Sequence, residues 1–189
     1  MKSVKIGNQE WSSENLNVDH FNNGDEIQQV ESAEDWLKCL ENKTPAWCYY
    51  DNDPVKGDTY GKLYNAFAVM DVRGIAPESW HIPTAEQWSE LVEFLGGAST
   101  GKLLKSSSGW LEDGNGTDIH SFGALPGGYR TPASGSYKYL GEYGFWWSAS
   151  QVSKINKSPW GYYMSSDNAE VDRSGYNPLC GFSVRCVKN

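Results

Sequence analysis

The stretch Trp80-His81-Ile82-Pro83-Thr84, running into Ala85-Glu86-Gln87-Trp88-Ser89-Glu90-Leu91-Val92-Glu93-Phe94-Leu95, decides how this chain folds. Thr84 is an N-cap residue whose hydroxyl can accept the Gln87 N–H while the Gln87 side chain reaches back, a capping box. Pro83 stands before the cap and Trp88 four positions inside, placed to staple the entry. Trp88, Leu91, Val92 and Leu95 recur at helical spacing and make one apolar stripe, with Glu86, Glu90 and Glu93 on the other side. Gly96-Gly97 stops the helix, because glycine accepts the left-handed conformation without steric cost. Burying the stripe contributes at most roughly 6–12 kcal/mol. Trp88 is therefore expected to be buried, against Trp80 and strands that come later. No other segment reads as helix so cleanly, and the chain beyond it reads as strand and turn.

At 189 residues the chain is one domain, 1–189. Leu, Ile, Val and Phe make up under a fifth of it, and the net charge is −8, a combination that points toward disorder. Nine Trp and eleven Tyr reverse that inference, since each aromatic buries a large area. Twenty Gly and eight Pro imply many turns. The acidic balance excludes nucleic acid as a partner, which needs a basic stripe, and disfavours anionic membrane surfaces. No apolar run reaches transmembrane length. Met1-Lys2-Ser3 leads straight into strand-like sequence rather than a signal peptide, which leaves a cytosolic protein or a mature fragment that has lost its export signal. Cys39, Cys48, Cys180 and Cys186 permit two disulfides in three connectivities, and none forms a Cys-x-x-Cys metal pair.

Taken in order, Val4 to Trp11 reads as a hairpin turning at Gly7-Asn8. Ser32 caps a second helix, Ala33 to about Asn42, with Trp36, Leu37 and Leu40 on its apolar side. Trp47 to Tyr50 is a strand, Asp51 to Asp58 an acidic turn, and Asn65 to Asp71 a short helix. Later come strands over Phe122–Leu125, broken by Pro126-Gly127-Gly128, then over Tyr137–Leu140 and Tyr143–Ser150. In the last of these Tyr143, Phe145, Trp147 and Ala149 face one way and Trp146 the other, which places it centrally in a sheet. Trp160–Ser165 and Ala169–Arg173 form a hairpin turning at Asp167-Asn168, and Phe182–Val187 closes the chain as an alternating strand.

Six blocks carry a family resemblance: Val4-Lys5-Ile6-Gly7-Asn8-Gln9, Tyr60 to Asn65, Trp80 to Thr84, Ala124 to Arg130, Trp146 to Ser150, and Gly181-Phe182-Ser183-Val184-Arg185-Cys186. In this order and spacing they resemble the Fibrobacter succinogenes major paralogous domain. The resemblance implies an extracellular or cell-surface bacterial domain, frequent in gut bacteria, with no assigned activity. More distantly, the blocks are similar to the formylglycine-generating enzyme superfamily. That similarity implies an α+β, C-type-lectin-like fold: two helices on a twisted antiparallel sheet, long loops, and a terminal strand fit to pair with Val4–Ile6. The family's usual Cys-Pro-x-Gly-Trp block is here Ala76-Pro77-Glu78-Ser79-Trp80, so Cys39 and Cys180 stand as additions. From this comparison the expected disulfides are Cys48–Cys186 and Cys39–Cys180.

Three chemistries compete. Formylglycine-generating oxidases hold copper with two thiols near the last strand, where Cys180 and Cys186 lie, but the block that accompanies them is replaced by Tyr143-Gly144-Phe145-Trp146-Trp147. Asp113-Gly114-Asn115-Gly116-Thr117-Asp118 offers oxygen ligands at alternate positions, yet lacks EF-hand spacing and its bidentate Glu, and its residues are also turn formers. His20, His81 and His120 stand in no motif, and His81 reads as a packed histidine. Aromatics beside polar groups in the late strands suit sugar, ring faces stacking while hydroxyls find Asp, Asn and Arg. The expected ligand-binding residues are Trp160, Tyr162, Tyr163, Asp172, Arg173, Tyr176 and Asn177. The resulting expectation is a monomeric, non-enzymatic binding module for glycan or a surface protein, with no cofactor and no metal. A metal-dependent oxidase and a display domain without ligand are the alternatives.

Overall fold

The computed structural model describes residues 1–153 and 158–189. In chain order it places β1 (Ser3–Ile6), β2 (Gln9–Ser12), β3 (Gln28–Gln29), α1 (Ala33–Asn42), β4 (Ala46–Cys48), α2 (Pro54–Tyr60), β5 (Leu63–Tyr64), α3 (Ala66–Val69) and β6 (Trp80–His81). There follow α4 (Ala85–Phe94), α5 (Gly101–Leu104), β7 (Gly127–Arg130), β8 (Tyr137–Leu140), β9 (Tyr143–Gln151), β10 (Pro159–Ser165), β11 (Asp172–Gly175) and β12 (Val187–Lys188). The fold is mixed α+β. Instead of one antiparallel sheet there are three among the described residues, ordered β1-β2-β12-β6, β11-β10-β9-β7-β8 and β3-β4-β5. Most pairs are antiparallel, while β7–β9 and β3–β4 are parallel. The closing strand pairs with β2 through Val187 and Trp11, not with β1.

The decisive helix forms as its caps dictate. Thr84 Oγ1 accepts the Gln87 N–H and Gln87 Oε1 accepts the Thr84 N–H, so the capping box is complete. With its oxygen so used, Gln87 offers Nε2 to His81 Nε2 at 2.8 Å, and His81 Nδ1 then donates to Asn189 Oδ1 at 2.7 Å. His81 is a packed spacer between β6 and α4. At the other end Gly96 N bonds Glu93 O and Gly97 N bonds Val92 O, the paired bonds of a Schellman stop, with φ of +107° and +104° at the two glycines.

Strand β9 divides the interior. Phe145 and Trp147 point into one core with Trp47, Phe182 and Val184, and Trp146 points into a second with Trp11, Trp88 and Phe122. This is the central two-faced strand the alternation predicts. Trp88 is fully buried, but against Trp11 at 4.8 Å and stacked on Tyr162 at 4.8 Å. Trp80 is half-buried and packs on the opposite core. Six of the seven buried tryptophans donate Nε1 to a protein oxygen, and Trp88 alone among the described residues leaves it unpartnered.

Several expectations need correction. In α1 the buried residues are Trp36 and Cys39, while Leu37 and Leu40 are 36 % and 44 % exposed. The acidic turn is in fact α2, capped by Asp53 Oδ1 and opened by Pro54 at its first position. Phe122–Leu125 makes a single bridge, Ala124 to Lys105, and the strand falls instead on Gly127–Arg130. The late hairpin holds, but its return strand is β11, reached through a longer connection. The expected disulfides are absent: all four cysteines are buried free thiols. Cys39 and Cys48 pack with Trp36 and Leu179, whereas Cys180 and Cys186 pack with Trp147 and Phe182, so each expected bridge would join two different clusters.

Irregular backbone is held by buried cations. Arg130 Nη1 donates to Val30 O at 2.5 Å, Nη2 to Glu31 O and Ser32 O, and Nε to Gly135 O, with the guanidinium 4.4 Å above Trp36. Arg185 donates to Ser12 O, Phe122 O, Gly123 O and Asn15 Oδ1 at 2.6–2.8 Å. Burial pulls the Arg185 pKa down to about 9, still above neutrality, so the fork keeps its protons. Lys105 Nζ bonds Ser165 O and Asn168 O in the same way.

Trp88→Ala should lose about 3–5 kcal/mol in urea unfolding, as deletion of a core aromatic does; a loss below about 1 kcal/mol would contradict its burial. Arg185→Lys should lose at least about 2 kcal/mol, because one ammonium cannot serve four acceptors on two separate stretches of chain and buried carbonyls are orphaned. A neutral Arg185→Lys would show that the fork is dispensable.

Candidate functional site

Strands β7 to β11 present a cleft of about 470 Å³ on the face of the first core. Its floor is Phe145 and Cys180. Its walls are Tyr129, Tyr139, Tyr143, Tyr163 and Tyr176, with Pro132 and Asn177 at the lip. The alternation of β9 brings Tyr143 and Phe145 to this face, and their rings stack at 5.6 Å and 15°. Register places Tyr163 of β10 opposite Phe145, rings 5.8 Å apart. Tyr176 follows β11 and sets its edge against Phe182 at 4.8 Å.

Tyr139 has an unusual backbone. Its φ is +64°, a left-handed value in the middle of β8, which costs a non-glycine residue about 1–2 kcal/mol. The partner position, Gly128, is also left-handed at +61°, and a Cβ there would sit 2.5 Å from Lys138 O and 2.7 Å from the Tyr50 ring. This local twist delivers Tyr139 to the cleft, 5.8 Å from Tyr129 and 5.1 Å from Tyr143, with 42 % of its surface exposed.

The hydroxyls divide the tyrosines into two groups. Those of Tyr64, Tyr137 and Tyr162 are tied to Val18 O, Asn52 Oδ1 and Ala85 O. Those of Tyr129, Tyr139, Tyr143 and Tyr176 have no such tie among the described residues, and Tyr163 stands opposite Asp172, its pKa held up by burial and by that carboxylate. Burial raises the pKa of Tyr129, Tyr143, Tyr163 and Tyr176, so each stays a protonated donor at neutral pH. Cys180, below them, is pushed up to about 12 by burial and stays a thiol.

The seven residues expected to bind ligand do not share one face. Tyr163, Asp172, Tyr176 and Asn177 gather at the cleft. Trp160, Tyr162 and Arg173 lie on the other side of the β10–β11 ribbon. There Arg173 stacks 4.9 Å over Trp160 and donates to the Tyr162 hydroxyl, itself buried against α4. Reading the sequence missed Tyr129, Tyr139, Tyr143 and Phe145 as site residues. Tyr143 and Phe145 alternate like core, and nothing local announces the turned backbone at Tyr139.

The other candidates are occupied by structure. In the Asp113–Asp118 loop, Asn115 Oδ1 accepts the Trp110 N–H and Asp118 Oδ1 the Gly123 N–H. Gly116 lies so close to Lys105 that a Cβ would meet its carbonyl at 2.1 Å. No group of three or more His, Cys, Asp or Glu side chains among the described residues is placed to hold a metal ion. A second hollow of about 390 Å³ beside Asn15 and Gly61 is polar, and Asn15 there already serves Tyr60 O, Trp146 and Arg185.

Fold and site together define an α+β domain of aromatic cores, arginine-held loops and one tyrosine-walled cleft. Residues 4–188 match the family described as the Fibrobacter succinogenes major domain, and the chain belongs to that family. No curated protein and no solved structure matches it significantly. No helix among the described residues is long and apolar enough to cross a membrane.

The thiols generate an alkaline dependence. Burial raises both Cys180 and Cys186 to about 12, from an ordinary 9 in the unfolded chain. Their contribution is complete below pH 9 and is lost as pH rises toward the folded values, by up to ~1.4 kcal/mol per pH unit for each. Cys180→Ala should flatten the fall of stability between those limits, measured by denaturant melts across pH. An unchanged slope would place Cys180 in solvent.

Proposed function

We propose that the domain is a C-type-lectin-like binding module whose tyrosine cleft takes a glycan. The observation that carries the reading is the set of converging tyrosines with hydroxyls left free of the protein, around an apolar floor. Ring faces suit the apolar face of a pyranose, and the free hydroxyls suit its own. The fold assignment is supported by the two ten-residue helices, by the pairing of β2 with β12, and by the long loops between strands. The cleft has the volume of a small-molecule site. A stable protein partner calls for roughly 800 Å² on each side, so glycan is favoured over a surface protein.

The proposal extends to a place outside the cell or on its surface, where polysaccharide is met. Free thiols are at home in a reducing compartment, so the cysteines no longer support that placement. Binding, not catalysis, is proposed because the cleft combines stacking surfaces with neutral donors.

A glycan array on the folded domain, followed by calorimetry, tests the reading. Tyr139→Ala and Tyr143→Phe should each weaken binding about tenfold, the equivalent of ~1.4 kcal/mol, with the melting temperature nearly unchanged. Arg173→Ala, on the far side of the ribbon, should bind as the unaltered protein does. Loss of binding in Arg173→Ala with retention in both cleft variants would move the site, and an array without a single hit would remove the glycan.

A further inference from the structure

The cleft has a charge character that its tyrosines alone do not explain. Four carboxylates stand along the Tyr143–Tyr163–Tyr176 side: Glu142, Asp167, Glu170 and Asp172. Asp172 faces Tyr163 in the β10–β11 register, and Glu142 immediately precedes Tyr143. Glu142, Asp167 and Glu170 are exposed and Asp172 is half-buried. None is ion-paired among the described residues. The cation that acts on Asp167, Lys105, is already committed to Ser165 O and Asn168 O. The carboxylates act on the cleft itself: Asp167 and Glu142 on Tyr143, Asp172 and Glu170 on Tyr163, Asp172 on Tyr176. Lys138 of β8 is exposed and faces Tyr129 in the β7–β8 register, one cation against four carboxylates, and none of these five charged residues is among those that line the cleft. Aromatic faces attract cations through their quadrupole, most strongly where water is partly excluded. Rings inside and unpaired carboxylates outside thus favour the same sign of charge.

We infer that the sugar seated in the cleft is cationic: a hexosamine unit with a free amine, preferred over the N-acetylated and the acidic forms of comparable chains. The amine would sit against the tyrosine faces within reach of Asp172, while the ring hydroxyls meet the free phenols. This inference rests on the glycan reading above and narrows it to one charge class. It also accounts for a cleft without a single lining Lys or Arg in a protein of net charge −8.

Calorimetry with three probes tests it at mildly acid pH: a glucosamine oligomer, the N-acetylglucosamine oligomer of equal length, and an oligogalacturonate. The glucosamine oligomer should bind at least about tenfold tighter than its acetylated form, and the oligogalacturonate weakest. The preference should shrink as salt rises, because exposed charges are screened. It should also shrink in Asp172→Asn and in Glu142→Gln, with circular dichroism confirming the fold. If either variant fails to fold, the salt series on the unaltered protein decides the matter. Equal or tighter binding of the acetylated oligomer, a preference insensitive to salt, or no binding of the glucosamine oligomer overturns the inference. Binding of the neutral or acidic oligomer in that case leaves the glycan reading standing, whereas silence from all three and from the array removes both.

Discussion

The fold depends on guanidinium groups buried among main-chain carbonyls. A chain with long irregular connections buries many carbonyls that no helix or ladder can pair, and each unpaired one costs free energy. Arg130 and Arg185 meet that need with a planar fork of donors that reaches several loops at once. Neither arginine is matched with a buried carboxylate. The partners are dipoles, so the positive charge is spread over several oxygens and partly over the Trp36 and Phe122 rings. Both arginines sit in the sequence blocks that mark the family. The Arg130 and Gly181 backbones bridge each other, and a side chain at 181 would strike the Arg130 Cβ at 2.9 Å. The blocks can thus be understood as parts of loop clamps, with no appeal to chemistry on a ligand.

The second constraint is the scarcity of aliphatic side chains. Tryptophan supplies the missing volume, and each indole brings a donor that must also be placed. The donors go to carbonyls of neighbouring segments, as Trp147 to Tyr64 O and Trp36 to Leu179 O do. Packing and hydrogen bonding are therefore performed by the same residues. That coupling makes the interior specific about register: a shifted strand would lose both ring contacts and partners. It also leaves β9 to separate two cores while its outward neighbours furnish the cleft.

How much of this the sequence discloses depends on how local each determinant is. The capping box at Thr84, the glycine stop at Gly96-Gly97, the hairpin at Gly7-Asn8 and the two-faced strand at Tyr143–Ser150 are all local patterns, and all four form. The Asp53-Pro54 start of α2 was equally legible as a cap followed by a first-turn proline, but acidic turn residues masked it. The cysteine pairing failed because an even count says nothing about which core a thiol joins. The cleft was half legible. Tyr163 and Tyr176 stand near turn signals, whereas Tyr139 reaches it only through two left-handed residues facing each other across a hairpin. Separating Arg173 from Asp172, adjacent in sequence, required the register of β10 and β11.

The union of β2 with the final segment has a consequence for the order of events during folding. Cys186 N bonds Ser12 Oγ and Arg185 bonds Ser12 O, contacts 174 and 173 residues apart along the chain. Closing so large a loop carries an entropy cost that the contacts repay only once they have formed. The opening hairpin can fold early, since its pairing is local. Its outer edge then stays unmatched until nearly all the remaining chain has been made and collapsed. Long-range closure of this kind makes for slow acquisition of the native state and a prolonged interval in which a strand edge is open to the wrong neighbour. Glu10, the partner of Lys5 across the hairpin, puts a charge on the waiting β2 strand beside Trp11.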